Sequence, residues 1–275
     1  MKISIIVTTY NRPAALNLVL AGLAKQAINP NTEWEVLIAD DGSKKETSDL
    51  ITAWQNNFPC HLVHVWHEDI GFRAGAIRNR AAAQSTGDYL VFLDGDCVTM
   101  PDFVNQHASL AESGWYIAGN RVLLSESFTH TLLSENDAIQ IMDWSVWQWM
   151  AAKLQKKTNR ALPWLRLKLS IMRKKRHSRW EVVKSCNLGV WKSDFVAING
   201  FDEDFSGWGH EDSDFAVRLL RLGISIKDGR YAVPVLHLWH QENDRSKQAE
   251  NWQKLEATLR SHHIAAKIGY KSHLS

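Results

Sequence analysis

The stretch Tyr89-Leu90-Val91-Phe92-Leu93-Asp94-Gly95-Asp96 decides the fold: an apolar run that ends abruptly in two carboxylates separated by a glycine. Bounded by Gly87-Asp88 before and Gly95 after, the run predicts a strand buried on both faces. In open α/β sheets, ligands sit beyond the carboxyl ends of the strands. Two carboxylates placed there repel each other unless a cation lies between them, so a divalent metal carrying a diphosphate is one reading of Asp94 and Asp96. A cap on the next helix is the other.

Outward from that run the same grammar repeats. Residues 3–8 read as a buried strand, broken at Thr9-Tyr10-Asn11-Arg12-Pro13, where the proline opens a helix to about residue 26. Residues 34–39 form a second strand ending in Asp40-Asp41-Gly42-Ser43, and an amphipathic helix comes next over about 46–56. A third short strand covers 62–65, and the alanine-rich stretch 75–85 has helical spacing. Strand alternating with helix predicts a mostly parallel central sheet flanked by helices, an α/β fold. A dinucleotide oxidoreductase of that class needs GxGxxG after its first strand, and Thr9-Tyr10-Asn11-Arg12 stands there instead.

The 275 residues suffice for one large domain or a domain with an insert. A net charge of +2 says little about partners, so the distribution of charge matters more. The three cysteines, Cys60, Cys97 and Cys186, are odd in number and lack CxxC spacing, which argues against a disulfide framework or structural zinc and fits a reducing compartment. Ile3-Ser4-Ile5-Ile6-Val7 after Met1-Lys2 is too short for a signal peptide or a spanning helix.

The chain changes character after a helix running to about residue 112 and a strand over 115–119. Residues 137–156 predict a helix carrying Trp144, Trp147 and Trp149. Between Lys153 and Lys184 twelve basic residues, among them Arg166, Lys168 and Arg173-Lys174-Lys175-Arg176, face the single acid Glu181. That pattern marks a basic interfacial segment, divided by Pro163. A solvated face, a membrane-surface contact and a lid over an anionic acceptor all satisfy it. Nucleic acid is not expected, because no recognition module accompanies the basic run. The division is therefore 1–122, a helical basic insert at 123–183, and 184–275. In the last part, an amphipathic helix spans about 213–222, with Arg218 and Arg221 between its apolar positions. A strand at 233–236 delivers His237-Leu238-Trp239-His240, and a terminal helix runs over about 249–267.

Five segments, in this order, resemble the inverting glycosyltransferases of the GT-A fold, in particular family 2, with a galactosyltransferase-type carboxy-terminal region. They are Ile5-Ile6-Val7-Thr8-Thr9-Tyr10-Asn11-Arg12, Ile38-Ala39-Asp40-Asp41-Gly42-Ser43, Gly75-Ala76-Ile77-Arg78-Asn79, Asp94-Gly95-Asp96, and Gly200-Phe201-Asp202 through Gly207-Trp208-Gly209-His210-Glu211-Asp212. The resemblance implies a donor pocket lined by Thr9, Asp40 and Asp41, with Arg73 and Arg78 reaching the diphosphate. It implies a divalent metal, Mn²⁺ or Mg²⁺, at Asp94 and Asp96, joined by His240 and His237. Asp212 matches the general base, Glu211 an acceptor-binding partner, and Trp208 a flat face for a sugar ring. His210 stands where the family's loop usually has a second small residue.

The reaction implied by the resemblance is transfer of a hexose or N-acetylhexosamine from a nucleotide diphosphate donor, a UDP-sugar, to a hydroxyl of a bacterial surface glycan. Lipopolysaccharide, capsule or a lipid-linked saccharide would be the acceptor, met in the cytoplasm or on the inner face of its membrane. Two rivals are weaker. A nucleotidyltransferase needs a glycine-rich basic loop after the first strand, and a non-catalytic glycan-binding or membrane-adaptor module has no use for Asp94, Asp96 and Asp212 together.

Overall fold

The computed structural model describes all residues except 136, 137, 162–164, 166, 168, 176, 243 and 275. Strands β1 (Lys2–Thr9), β2 (Glu33–Asp40), β3 (His61–Trp66) and β4 (Tyr89–Asp94) are joined by helices α1 (Pro13–Ala24), α2 (Lys45–Gln55) and α3 (Ala74–Gln84). Their side chains alternate between two cores. Ile3, Ile5, Val7, Val91 and Leu93 enter one, while Ile6, Leu90 and Phe92 enter the other. A period of two with both faces covered is why these runs are apolar throughout.

After β4 come β5 (Cys97–Thr99), α4 (Phe103–Leu110), β6 (Trp115–Ala118), β7 (Asn120–Leu123), α5 (Glu126–Ser134) and α6 (Val146–Leu154). The chain continues through β8 (Asn187–Trp191), α7 (Lys192–Ala197), α8 (Glu211–Arg221), β9 (Ser225–Asp228), β10 (Pro234–His237) and α9 (Gln248–Arg260). The main sheet has seven strands in the order β3-β2-β1-β4-β8-β6-β9, with β8 antiparallel to both neighbours and the other pairs parallel. A second sheet orders β5-β10-β7. The expected mostly parallel sheet is present. Strands β5, β7 and β9 were too short to declare themselves as patterns.

Two expected helices differ. The stretch predicted at 137–156 is a 3₁₀ turn at Ala138–Asp143 followed by the separate α6, and Asp137 lies outside the described residues. Ser145 forces the break: its hydroxyl accepts from Gln148 N while the Gln148 side chain accepts from Ser145 N, a capping box that starts a new helix. The terminal helix α9 stops at Arg260, seven residues short of the expectation, and beyond it the Ala266 and Ile268 carbonyls accept from Asn199 and Glu203 rather than continuing the helix.

Trp144, Trp147 and Trp149 do not share a face. Trp149 is fully buried, Trp144 stacks on Phe128 with ring centroids 5.6 Å apart, and of the three only Trp147 stands out, 76% exposed. Residues two apart lie on opposite sides of any helix, so Trp147 and Trp149 had to separate. Of the run Arg173-Lys174-Lys175-Arg176, the three described residues, Arg173, Lys174 and Lys175, likewise do not form one basic patch. Arg173 turns inward and donates to the carbonyls of Asp228, Arg230 and Leu167 at 2.8, 2.7 and 2.6 Å. Lys174 pairs with Glu112 at 2.5 Å and lies over the Trp115 ring, Lys175 is exposed, and Pro163, Arg166, Lys168 and Arg176 lie outside the described residues. Among the described residues no helix is long and apolar enough to cross a membrane, and all three cysteines are free.

Candidate active site

Parallel register assembles the first half of the site. Thr8 pairs with Asp94, and Thr9 with Asp40, so β1, β2 and β4 end together and release their polar residues at one edge. Gly95 is needed at that edge. A Cβ there would meet the Thr8 carbonyl oxygen at 2.9 Å and Thr9 Cβ at 3.1 Å, closer than ordinary contact. The small sheet assembles the second half. His237 pairs with Cys97 across β10 and β5, and Leu238 N donates to the Asp96 carbonyl at 2.9 Å, which sets the end of β10 beside Asp96.

The result is a cleft of about 600 Å³ lined by Thr9, Asp41, Arg78, Asp94, Asp96, Trp208, Glu211, Asp212, His237 and His240, with others. One carboxylate oxygen of Asp96 and one ring nitrogen each of His237 and His240 lie within 4.8 Å of one another. His237 Nε2 is 3.6 Å and His240 Nε2 3.4 Å from Asp96 oxygens. His240 Nδ1 is 2.6 Å from the Gln241 carbonyl, which can only accept, so Nδ1 carries a proton and Nε2 is the nitrogen turned toward Asp96. Burial pushes His237 down to about 4, outweighing the Asp96 carboxylate, so its ring is neutral at pH 7 and free to donate a lone pair. One carboxylate and two imidazoles fit a divalent transition ion better than Mg²⁺.

Asp94 does not join that trio. It accepts from Arg78 Nη2 at 3.0 Å, and burial raises its carboxyl, partly offset by Arg78 and reinforced by Asp96. Arg78, almost wholly buried, also donates from Nε to Thr8 Oγ1 at 3.0 Å and places Nη1 3.6 Å from Glu211 Oε1. It therefore bridges the two acidic groups of the cleft. Glu211 and Asp212 open α8 after Gly207-Trp208-Gly209-His210, with His210 left-handed at φ 71°. Burial first, then the adjacent Asp212 carboxylate, raise Glu211 to about 7. Asp212 has the Lys184 ammonium 3.8 Å away.

Two expected donor residues point elsewhere. Asp40 is fully buried and does not line the cleft: it accepts from Ser43 N at 2.8 Å and lies 2.9 Å from His64 Nε2. The Arg73 side chain donates to the Glu68 carbonyl, while its backbone N–H donates to Asp41 at 2.9 Å. Asp41 reaches the cleft with its other oxygen 2.6 Å from His67 Nε2. Gly42 permits that turn, since at φ 92° a Cβ would strike Asp69 Cα at 2.6 Å.

A model of glycosyl transferase family 2 matches residues 4–170. The chain belongs to glycosyl transferase family 2. A second model, described as the N-terminal domain of galactosyltransferase, matches residues 165–240 of this family-2 chain. A validoxylamine A glucosyltransferase from Streptomyces hygroscopicus subsp. limoneus is 30% identical over 241 residues, 83% of this chain and 50% of the relative. Hyaluronan synthase from Pasteurella multocida is 28% identical over 87% of this chain and 24% of its own length. The family-2 chain thus spans about half or less of these curated relatives. In fold, it is similar to a mannosyltransferase from Pyrobaculum calidifontis in complex with GDP-Man and Mn²⁺, with TM-score 0.63 at 17% identity, over 94% of this chain and 64% of the other. TarS 1–349 of Staphylococcus aureus, in complex with UDP, gives 0.60 at 16% identity over 99% and 68%. These likenesses establish the GT-A fold.

Several cleft residues of the family-2 chain carried no role in the sequence. Arg12 donates to Asp96 Oδ2 at 2.9 Å. Arg245 lies over the Trp208 ring, 4.8 Å from its centroid, and Arg121 and Lys184 line the wall. Arg12 had a signal, its place in the first loop after β1. Arg121, Lys184 and Arg245 had none, because each comes from a segment whose path depends on the second sheet or the insert.

Proposed function

We propose that the chain is an inverting glycosyltransferase that moves a sugar from a UDP-sugar to a hydroxyl of a bacterial surface glycan. The observation that carries this reading is one cleft holding the Asp96–His237–His240 donor set and the Glu211–Asp212 pair, joined through Arg78 and Asp94. The relatives named glucosyltransferase and hyaluronan synthase support a sugar donor and a glycan product. On this reading, residues 1–122 hold the nucleotide and 184–275 the acceptor.

Thr9 and Asp41 hold the nucleoside, and Arg78 and Arg12 are placed for phosphate oxygens. Thr9 Oγ1 is buried and has no partner among the described residues, which suits a group waiting for a ligand. Asp96, His237 and His240 would hold a divalent ion, Mn²⁺ before Mg²⁺ on this donor chemistry, which when bound would supply positive charge for the diphosphate. Asp212 takes the proton from the acceptor hydroxyl as its oxygen bonds to the anomeric carbon, while the bond from that carbon to the diphosphate oxygen breaks on the opposite face. Glu211 orders the acceptor, and Trp208, backed by Arg245, offers its ring to a sugar. A lipid-linked acceptor would put the enzyme at the inner face of the cytoplasmic membrane.

The test is a thermal-shift screen of UDP-glucose, UDP-N-acetylglucosamine and other nucleotide sugars with Mn²⁺, followed by donor hydrolysis assays. One nucleotide sugar is expected to raise the midpoint with Mn²⁺ and to be slowly hydrolysed. If no nucleotide sugar shifts the midpoint with or without metal, the transferase reading is lost.

A further inference from the structure

We propose that the exposed face of α6 is a docking surface for an anionic lipid bilayer. Trp147, Met150 and Leu154 are spaced i, i+3 and i+7, so they fall on one side of the helix, and they are 76%, 40% and 83% exposed. Trp149 and Ala152, on the other side, are buried in the core. A stripe this apolar facing water is costly to leave uncovered unless something receives it.

The charge around the stripe selects the occupant. From Val146 to Arg160 the sequence has four basic residues, Lys153, Lys156, Lys157 and Arg160, and no acid. Lys153 donates to the Asn159 carbonyl at 3.0 Å and Lys157 lies over the Phe128 ring, while Lys156 is exposed. Tryptophan and leucine flanked by lysines match the boundary between acyl chains and anionic head groups. A second protein chain of ordinary surface would have to supply acids at four points around an apolar seam.

The surface also adjoins the site. Ser125 N donates to the Lys157 carbonyl at 2.9 Å and Asn159 N to the Leu123 carbonyl at 3.0 Å, and Leu123 and Leu124 line the cleft. The segment just after α6 is thus hydrogen-bonded to the chain that lines the cleft wall. Docking on α6 deepens the proposed membrane position and rests on it for the acceptor, whereas its test reads binding alone.

The test is co-sedimentation of the full chain with phosphatidylcholine vesicles and with mixed phosphatidylcholine–phosphatidylglycerol vesicles, at low and high salt. Binding is expected only with phosphatidylglycerol and only at low salt. The combined Lys153→Gln, Lys156→Gln, Lys157→Gln variant should lose on the order of 10²-fold in partitioning. Trp147→Ser with Leu154→Ser should lose about tenfold or more with an unchanged melting midpoint and unchanged UDP binding. Lys175→Gln, outside the stripe, should change nothing. Wild type that stays in the supernatant with anionic vesicles at low salt overturns the proposal. So does a dimer in light scattering that Trp147→Ser dissociates, since the face would then belong to a second copy.

Discussion

The molecule gathers charge at the strand ends and disperses it around Arg173–Lys175, and the two regions use opposite means. At the ends of β1, β4 and β10, regular register brings Asp94, Asp96, His237 and the start of α8 around one cleft, with Arg78 as the internal counter-charge. Ser170–Lys174 is a short 3₁₀ turn, and successive basic residues there and just after it diverge: Arg173 inward, Lys174 sideways onto Glu112 and Trp115, Lys175 outward. A strand edge concentrates because its neighbours repeat its spacing. An irregular turn sends each residue to whichever partner its own direction meets.

The largest effect should come from the concentrated side. Asp96→Asn keeps the side-chain volume but removes the charge shared by His237, His240 and Arg12, so transfer should fall on the order of 10³-fold or more. Calorimetry should find Mn²⁺ binding lost. Retained Mn²⁺ binding would break the contrast, because the cluster would then be held together for packing alone.

Arg218 sharpens it next. This arginine sits on α8 with its partner Asp214, both wholly buried at 2.7 Å, and it also donates to the Ile198 and Gly200 carbonyls at 2.8 Å. Arg218→Met leaves Asp214 unpaired apart from Thr258, and should cost about 3–4 kcal/mol in urea unfolding. A loss under about 1 kcal/mol would mean that the pair does not hold α8 under the cleft.

Glu211 tests the cleft through pH. Its folded value near 7 lies above the usual 4.5, so between those values the folded state keeps a proton that the unfolded state has lost. Stability from this residue therefore declines as pH rises from about 4.5 to 7, and the penalty stands in full above 7. Glu211→Gln should add on the order of 3 kcal/mol at about pH 8 and nothing near pH ~4. Glu35 runs the other way: hydrogen bonds from Ser4, Thr86 and Lys2 outweigh burial and hold it at about 2, so its contribution is present above 4.5 and fades as pH falls toward 2. A pH-independent Glu211→Gln difference would remove the buried, raised carboxyl from the cleft.

The smallest effect lies in the dispersed region. Arg173→Gln abandons buried carbonyls and should cost about 1–2 kcal/mol, while Lys175→Gln should stay within about 0.5 kcal/mol. Equal costs would make the run one patch after all.

The amino-acid sequence alone determined the order of strands and helices through β4, the end of the first strand to within one residue (Thr8 expected, Thr9 found), and the places where polar residues interrupt apolar runs. Period-two burial and helical spacing are local properties, and they survive folding because both cores use them. The pairing of Asp96 with His237 and His240 is not local: 141 positions separate Asp96 from His237, and β5 and β7, which flank β10 in the small sheet, carry too few residues to show a period. Asp40 and Asp41 are adjacent and chemically identical, yet a strand's alternation sends one to His64 in the interior and the other to the cleft. The same holds for Arg173 and Lys175, and for Trp147 and Trp149. Local sequence settles which groups are available within a few residues, and tertiary structure decides which of them meet, because direction is set by the backbone and the backbone's neighbours come from far along the chain.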